Sequence, residues 1–108
     1  MEKQQVLGVL AALAQETRLD VFRLLVRAGP EGLPAGAIGK QLEIPSATLS
    51  FHLKELKNAG IVGCARQGRS LIYSADTAAI LEMIRFLTDN CCQGVDLGAP
   101  DPLEGGAR

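Results

Sequence analysis

The stretch that decides the fold is IPSATLSFHLKELKNAGIVGCARQGRSLIY, residues 44–73. Leu49, Leu53 and Leu56 recur at i, i+4 and i+7, so one face of a helix following Pro45 is apolar and must pack inward. The opposite face carries Ala47, Ser50, Phe51, Lys54 and Asn58. It is small and polar at its N-terminal end, where a helix inserted in a groove must approach closely. Gly60 ends the helix. Residues 61–65 and 71–75 then read as strands, joined by Arg66-Gln67-Gly68-Arg69 with glycine supplying the turn. A short helix followed directly by a hairpin with a doubly basic tip is the pattern of a DNA-recognition helix with a wing.

Upstream, residues 34–42 fit a short third helix with proline in its first turn, and Glu43-Ile44-Pro45 is the turn into the fourth. Two helices across so short a turn make a helix-turn-helix. A first helix fits residues 6–14, with Val6, Val9, Leu10 and Leu13 on one side. A second fits residues 16–27, with Leu19, Phe22, Leu25 and Val26 inward, closed by Gly29, Pro30 and Gly32. Downstream, Asp76 can cap a fifth helix over residues 77–90. Ile80, Ile84, Leu87 and Cys91 lie on one stripe, which Leu81, Met83 and Phe86 widen beyond what a solvated terminal helix needs. The expected fold is mostly α with a small β-hairpin, a winged helix-turn-helix of five helices and a two-stranded wing. Residues 1–93 form one DNA-binding and dimerisation domain, and residues 94–108 a mobile tail rich in Gly, Pro and acids.

The chain has 108 residues, enough for one core but not two. Its hydrophobic content of 47% belongs to a globular chain, and four aromatic residues leave the core to Leu, Ile, Val and Ala. No apolar run approaches the ~20 residues of a membrane span, and the start MEKQQVLGVL lacks the features of a signal peptide. A cytoplasmic protein with no membrane partner is expected. The net charge of −1 is not the balance of a DNA binder, but its distribution matters more. Residues 45–76 hold Lys54, Lys57, Arg66 and Arg69 against Glu55 and Asp76, a local excess of +2. Residues 77–108 carry two basic against five acidic residues, or −3.

Within the reading segment, Ser46, Thr48 and Ser50 can bond base edges or phosphates, while Ala47 and Phe51 stand on the same outer surface. Lys54, Lys57, Arg66 and Arg69 can neutralise backbone charge. His52 sits nearer the packing edge, where it can satisfy a local hydrogen bond or touch a phosphate. An enzyme is not expected. There is no Ser/His/Asp set, no phosphate-cradling glycine loop and no paired carboxylates facing a pocket. No obligatory cofactor is expected. A winged helix used for protein interaction is the reading from another class, and steep salt dependence of DNA binding separates the two.

Specific resemblance begins at LAQETRLDVFRLL, residues 13–25, which resembles the second helix of the ArsR/SmtB family of metalloregulatory repressors. LSFHLKELKNAGIV, residues 49–62, is similar to that family's recognition helix, and RQGRSLIY, residues 66–73, to its wing. The resemblance covers residues 10–92. It implies a homodimer on double-stranded palindromic operator DNA, dimerised through the first and last helices, and an inducer that lowers DNA affinity.

Three cysteines are present, Cys64, Cys91 and Cys92. In a cytosolic chain they are not expected to form structural disulfides. Cys91-Cys92 ends the last helix in LTDNCCQG, with Gly94 allowing the backbone to turn. Thiolates select soft, thiophilic partners. Zinc is disfavoured, because the one histidine lies on the recognition helix and a structural zinc site wants four ligands. The segment FLTDNCC resembles an arsenic-sensing subgroup in which a Cys-Cys pair ends the last helix. The third cysteine that follows in arsenite-binding relatives is missing from residues 93–98. Inorganic As(III) is held best by three thiolates, whereas a monomethyl arsenical needs two. The expected inducer is therefore a trivalent arsenical: methylated or aryl, or arsenite keeping a hydroxide. A third sulfur could come from Cys64 or the partner subunit, although Cys64 also fits as a small apolar strand residue. Redox or reactive-sulfur sensing by the pair is the alternative.

Overall fold

The computed structural model describes residues 1–98. The order is α1 (Lys3–Leu13), α2 (Glu16–Ala28), β1 (Leu33–Pro34), α3 (Ala35–Leu42), α4 (Ser46–Asn58), β2 (Val62–Gln67), β3 (Ser70–Ala75) and α5 (Thr77–Thr88). This is the expected winged helix-turn-helix with one addition. β1 joins the hairpin, so the antiparallel sheet has three strands in the order β1-β3-β2, with Leu33 opposite Tyr73 and Pro34 opposite Ile72. Proline is tolerated in β1 because an edge strand need not donate on its outer side. Pro34 is consequently the N-cap of α3 and not a residue of its first turn.

The core is built where the leucine spacing placed it. Leu49, Leu53 and Leu56 of α4 are buried with Val21 and Leu25 of α2, Ile38 of α3 and Ile61. α1 adds Val6, Val9 and Ala12. Two expectations on α2 are corrected: Leu19 and Val26 are exposed, and Val21 takes their place beside Phe22 and Leu25. Positions 21, 22 and 25 share one helical face, while 19 and 26 lie together beyond one edge of it.

Local chemistry sets the boundaries. In α1 the Glu2 N–H donates to Gln5 Oε1 at 2.7 Å. In α2 the Arg18 N–H donates to Gln15 Oε1 at 2.8 Å. Gly32 turns the chain into β1 at φ +69°, and a Cβ there would run into the Tyr73 carbonyl. The β2–β3 register pairs Cys64 with Tyr73 and Gln67 with Ser70, leaving Gly68-Arg69 as a two-residue turn with Gly68 at φ +61°. Asp76 alone separates β3 from α5. Its N–H donates to the Ile61 carbonyl at 2.8 Å, and its carboxylate accepts from the Ala79 N–H at 3.2 Å.

α5 stops at Thr88, two residues short of the expected end, so Cys91 is not part of the helical stripe. Of that stripe only Met83 is buried, with Ile80 half-buried, while Leu81, Ile84, Phe86 and Leu87 are exposed. Residues 94–98 carry no helix or strand, and residues 99–108 of the expected tail lie outside the described residues. Among the described residues no helix is long and apolar enough to cross a membrane.

Candidate nucleic-acid interface and thiol site

The helix-turn-helix turn is tight because Gly39 has no side chain. The Ile44 N–H donates to the Gly39 carbonyl at 2.9 Å, and a Cβ on Gly39 would stand 3.0 Å from the Ile44 carbonyl oxygen. Glu43 completes the turn in the left-handed region at φ 56°. This geometry sets the N-terminus of α4 against the side of α3 and leaves its outer face uncovered.

Ser46, Ala47, Thr48, Ser50, Phe51, Lys54 and Lys57 are all exposed on α4, as are Arg66 and Arg69 at the wing tip. The first turn of α4 has no acidic residue and no side-chain cap, so its positive dipole end meets no built-in carboxylate. A cleft between α3 and α4, lined by Gly36, Lys40, Ser46 and Ser50 over Leu49, adds a cation that sequence reasoning passed over. The signal for it was the polar face of α3, which ends in Lys40 and Gln41.

His52 departs from this group. It is 7% exposed, and its Nδ1 lies 3.4 Å from Arg18 Nη1. Burial first, and then the Arg18 charge, holds its pKa below the ordinary 6.5, with Glu55 pulling the other way. The ring therefore serves the packing of α4 on α2, and its expected DNA contact gives way to the hydrogen-bonding role. Arg18 is the second residue that sequence reasoning missed. Its Nε–H donates to the Ala12 carbonyl at 2.7 Å while Nη1 faces His52, so one guanidinium joins α1, α2 and α4.

Cys91 and Cys92 lie in an exposed turn just past α5, and their sulfurs are in direct contact as a vicinal disulfide pair. The turn is made by left-handed conformations at Asn90 (φ 60°) and Cys92 (φ 69°), followed by Gly94 at φ 86°. The Cys91 N–H closes it on the Thr88 carbonyl at 2.9 Å. Cys64 is not part of this site. It is half-buried on β2 across from Tyr73. The Tyr73 phenol is pushed up by burial and then by the Cys64 thiol beside it. Among the described residues, no three His, Cys, Asp or Glu side chains gather as a potential metal site.

A helix-turn-helix with an attached hairpin and an exposed basic face defines the class, a winged helix-turn-helix protein. The family model for a helix-turn-helix domain matches residues 13–63. The transcriptional activator HlyU of Vibrio cholerae is 30% identical over 95 residues, which cover 86% of this chain and 85% of HlyU. An ArsR-like transcriptional regulator from Rhodococcus superposes with a TM-score of 0.71 at 27% identity, covering 78% of this chain and 76% of that one. A homodimeric winged helix-turn-helix DNA-binding domain from Mycobacterium bovis, described as a possible ArsR-family regulator, superposes with a TM-score of 0.65. It is 28% identical and covers 80% of both chains. The chain belongs to the ArsR family of winged-helix transcriptional regulators.

Proposed function

We propose that this regulator is a homodimeric repressor that binds a palindromic operator and is released by a trivalent arsenical, arsenite or methylarsenite, bound at Cys91 and Cys92. The observation that carries the inducer assignment is the exposed Cys91-Cys92 pair in the turn that follows α5. Once reduced, two adjacent thiols in one turn can both reach one soft ion, and thiolates favour such ions. With Cys64 on the wing strand and the Cys91-Cys92 pair reduced, each subunit offers the arsenical two thiols, which fits methylarsenite or a hydroxide-bearing arsenite.

Dimerisation is supported by surface that one subunit leaves open. Leu7 and Leu10 on α1 and Leu81, Ile84, Phe86 and Leu87 on α5 are each at least 41% exposed, a grouping that ordinarily marks an interface. The homodimeric relative from Mycobacterium bovis supports the same assembly. A two-fold axis would place two copies of α4 about one helical turn apart on DNA, which calls for a palindrome. Ser46, Thr48, Ser50, Lys54 and Lys57 would meet the major groove and its rims, with Arg66 and Arg69 on the flanking backbone. Inducer binding next to the dimer helix then disfavours the operator-competent spacing. A coupling of ~1–3 kcal/mol changes occupancy roughly 5–150-fold.

The test is an operator-release titration with arsenite, methylarsenite, zinc and peroxide. Release by an arsenical and not by zinc supports the assignment. Release by peroxide alone would instead favour redox sensing by the same pair. That second reading is favoured by the vicinal disulfide that the pair forms at an exposed turn.

A further inference from the structure

The outer face of α4 carries one large apolar side chain. Phe51 is 55% exposed, and its ring meets His52 edge-on with centroids 5.4 Å apart. The buried histidine thus steadies one side of the ring while the rest faces outward. Ala47 stands one turn earlier on the same line and is also exposed. The other exposed residues of the first two turns are Ser46, Thr48 and Ser50. Hydroxyls of this kind donate or accept and bond to any base.

The side chains that read guanine or adenine with two hydrogen bonds are Arg, Lys, Asn and Gln. None of them occurs in residues 46–53. The apolar groups left to discriminate between bases are the Phe51 ring, the Ala47 methyl in line with it, and the Thr48 methyl to one side. In the major groove the base-edge feature that an apolar group can prefer is the C5-methyl of thymine. Exposed Lys54 follows on the same face of α4, and Lys57, Arg66 and Arg69 are exposed as well. That charge complements a polyanion, which sets Phe51 apart from an ordinary apolar docking patch.

We infer that Phe51, supported by Ala47, reads thymine methyl groups, and that the position of these methyls is the main determinant of half-site choice. This rests on the DNA-reading function proposed above, and the experiment separates the two. Duplexes are selected from a random-sequence pool with the full-length protein. The thymines of the selected half-sites are then exchanged one at a time for deoxyuracil, which removes the methyl and leaves every hydrogen-bonding group.

The expected result is thymine at fixed positions of each half-site and a loss of roughly 4-fold per critical methyl removed. Phe51→Ala should bind the thymine and uracil duplexes alike. The variant should fold, because the side chain it removes is mostly outside the core. Lys54→Ala should weaken selected and scrambled duplexes by the same factor. Selected sites without recurrent thymine, or a wild-type protein indifferent to uracil, overturn the inference and leave DNA reading intact. No enrichment of any sequence overturns both.

Discussion

Arg18 Nη1 lies 3.4 Å from His52 Nδ1, while the same guanidinium donates through Nε to the Ala12 carbonyl at 2.7 Å. A residue of α2 therefore ties a backbone carbonyl of α1 to the inner side of the reading helix. Only a planar, forked cation can serve both partners at once. Arg18→Lys should keep the charge and lose the link, lowering stability by about 1–3 kcal/mol in chemical denaturation. Arg18→Ala should lose no less.

The same pair makes stability depend on pH. The folded pKa of His52 is below its ordinary 6.5, first through burial and then through Arg18. A depressed folded pKa means that the unfolded chain binds the proton more readily. Its stability contribution is fully present above 6.5 and is lost as pH falls through the folded value. The melting temperature should drop as the pH falls below the ordinary 6.5, and His52→Gln should remove most of that slope. An unchanged slope would assign the acid sensitivity to other groups.

Gly32 and Gly60 form a matched comparison. Both have positive φ, +69° and +82°, but a Cβ on Gly32 meets the Tyr73 carbonyl and a Cβ on Gly60 meets nothing within 4 Å. Gly60→Ala should cost about 1 kcal/mol for the left-handed conformation alone. Gly32→Ala must also displace backbone at the β1–β3 junction and should cost at least about 2 kcal/mol more. Urea denaturation of the two variants measures the difference directly.

Cys91→Ser and Cys92→Ser should each bind operator with unchanged affinity and resist release by methylarsenite. Cys64→Ser should release normally, since that thiol faces Tyr73 on the wing. Fluorescence anisotropy of labelled operator reads both properties. Normal release by both members of the pair would remove the site.

Charge placed on the open face of α5 tests the dimer. Leu81→Glu and Leu87→Glu alter side chains 59% and 57% exposed, so the subunit core is untouched. Sedimentation should show monomers at concentrations where the wild-type protein is a dimer, and operator affinity should fall with assembly. Dimers of unchanged stability would place the interface elsewhere.

What was legible in the sequence follows from what leaves a periodic trace. Leu49, Leu53 and Leu56 announce the buried face of α4, and Gly60 and Gly68 punctuate the wing, so the helix-turn-helix and hairpin emerge almost to the residue. β1 leaves no trace because it is two residues long and ends in proline. The end of α5 is hidden because Thr88-Asp89-Asn90 has neither Gly nor Pro, and Asn90 takes the left-handed turn that asparagine tolerates. The Arg18–His52 link joins residues 34 apart, a pairing that helical periodicity cannot register. The outer-face residues were legible as a set, while His52 needed its packing environment before it could be assigned.

Asp76 has one more consequence. It is the sole residue between the end of β3 at Ala75 and the start of α5 at Thr77, and it is pinned at both ends by the Ile61 carbonyl and the Ala79 N–H. There is no slack in this joint. A change in the tilt of α5 must either be absorbed in the two backbone torsions of Asp76 or be handed on to the root of the wing. The last helix and the wing are thus coupled through the torsions of a single aspartate.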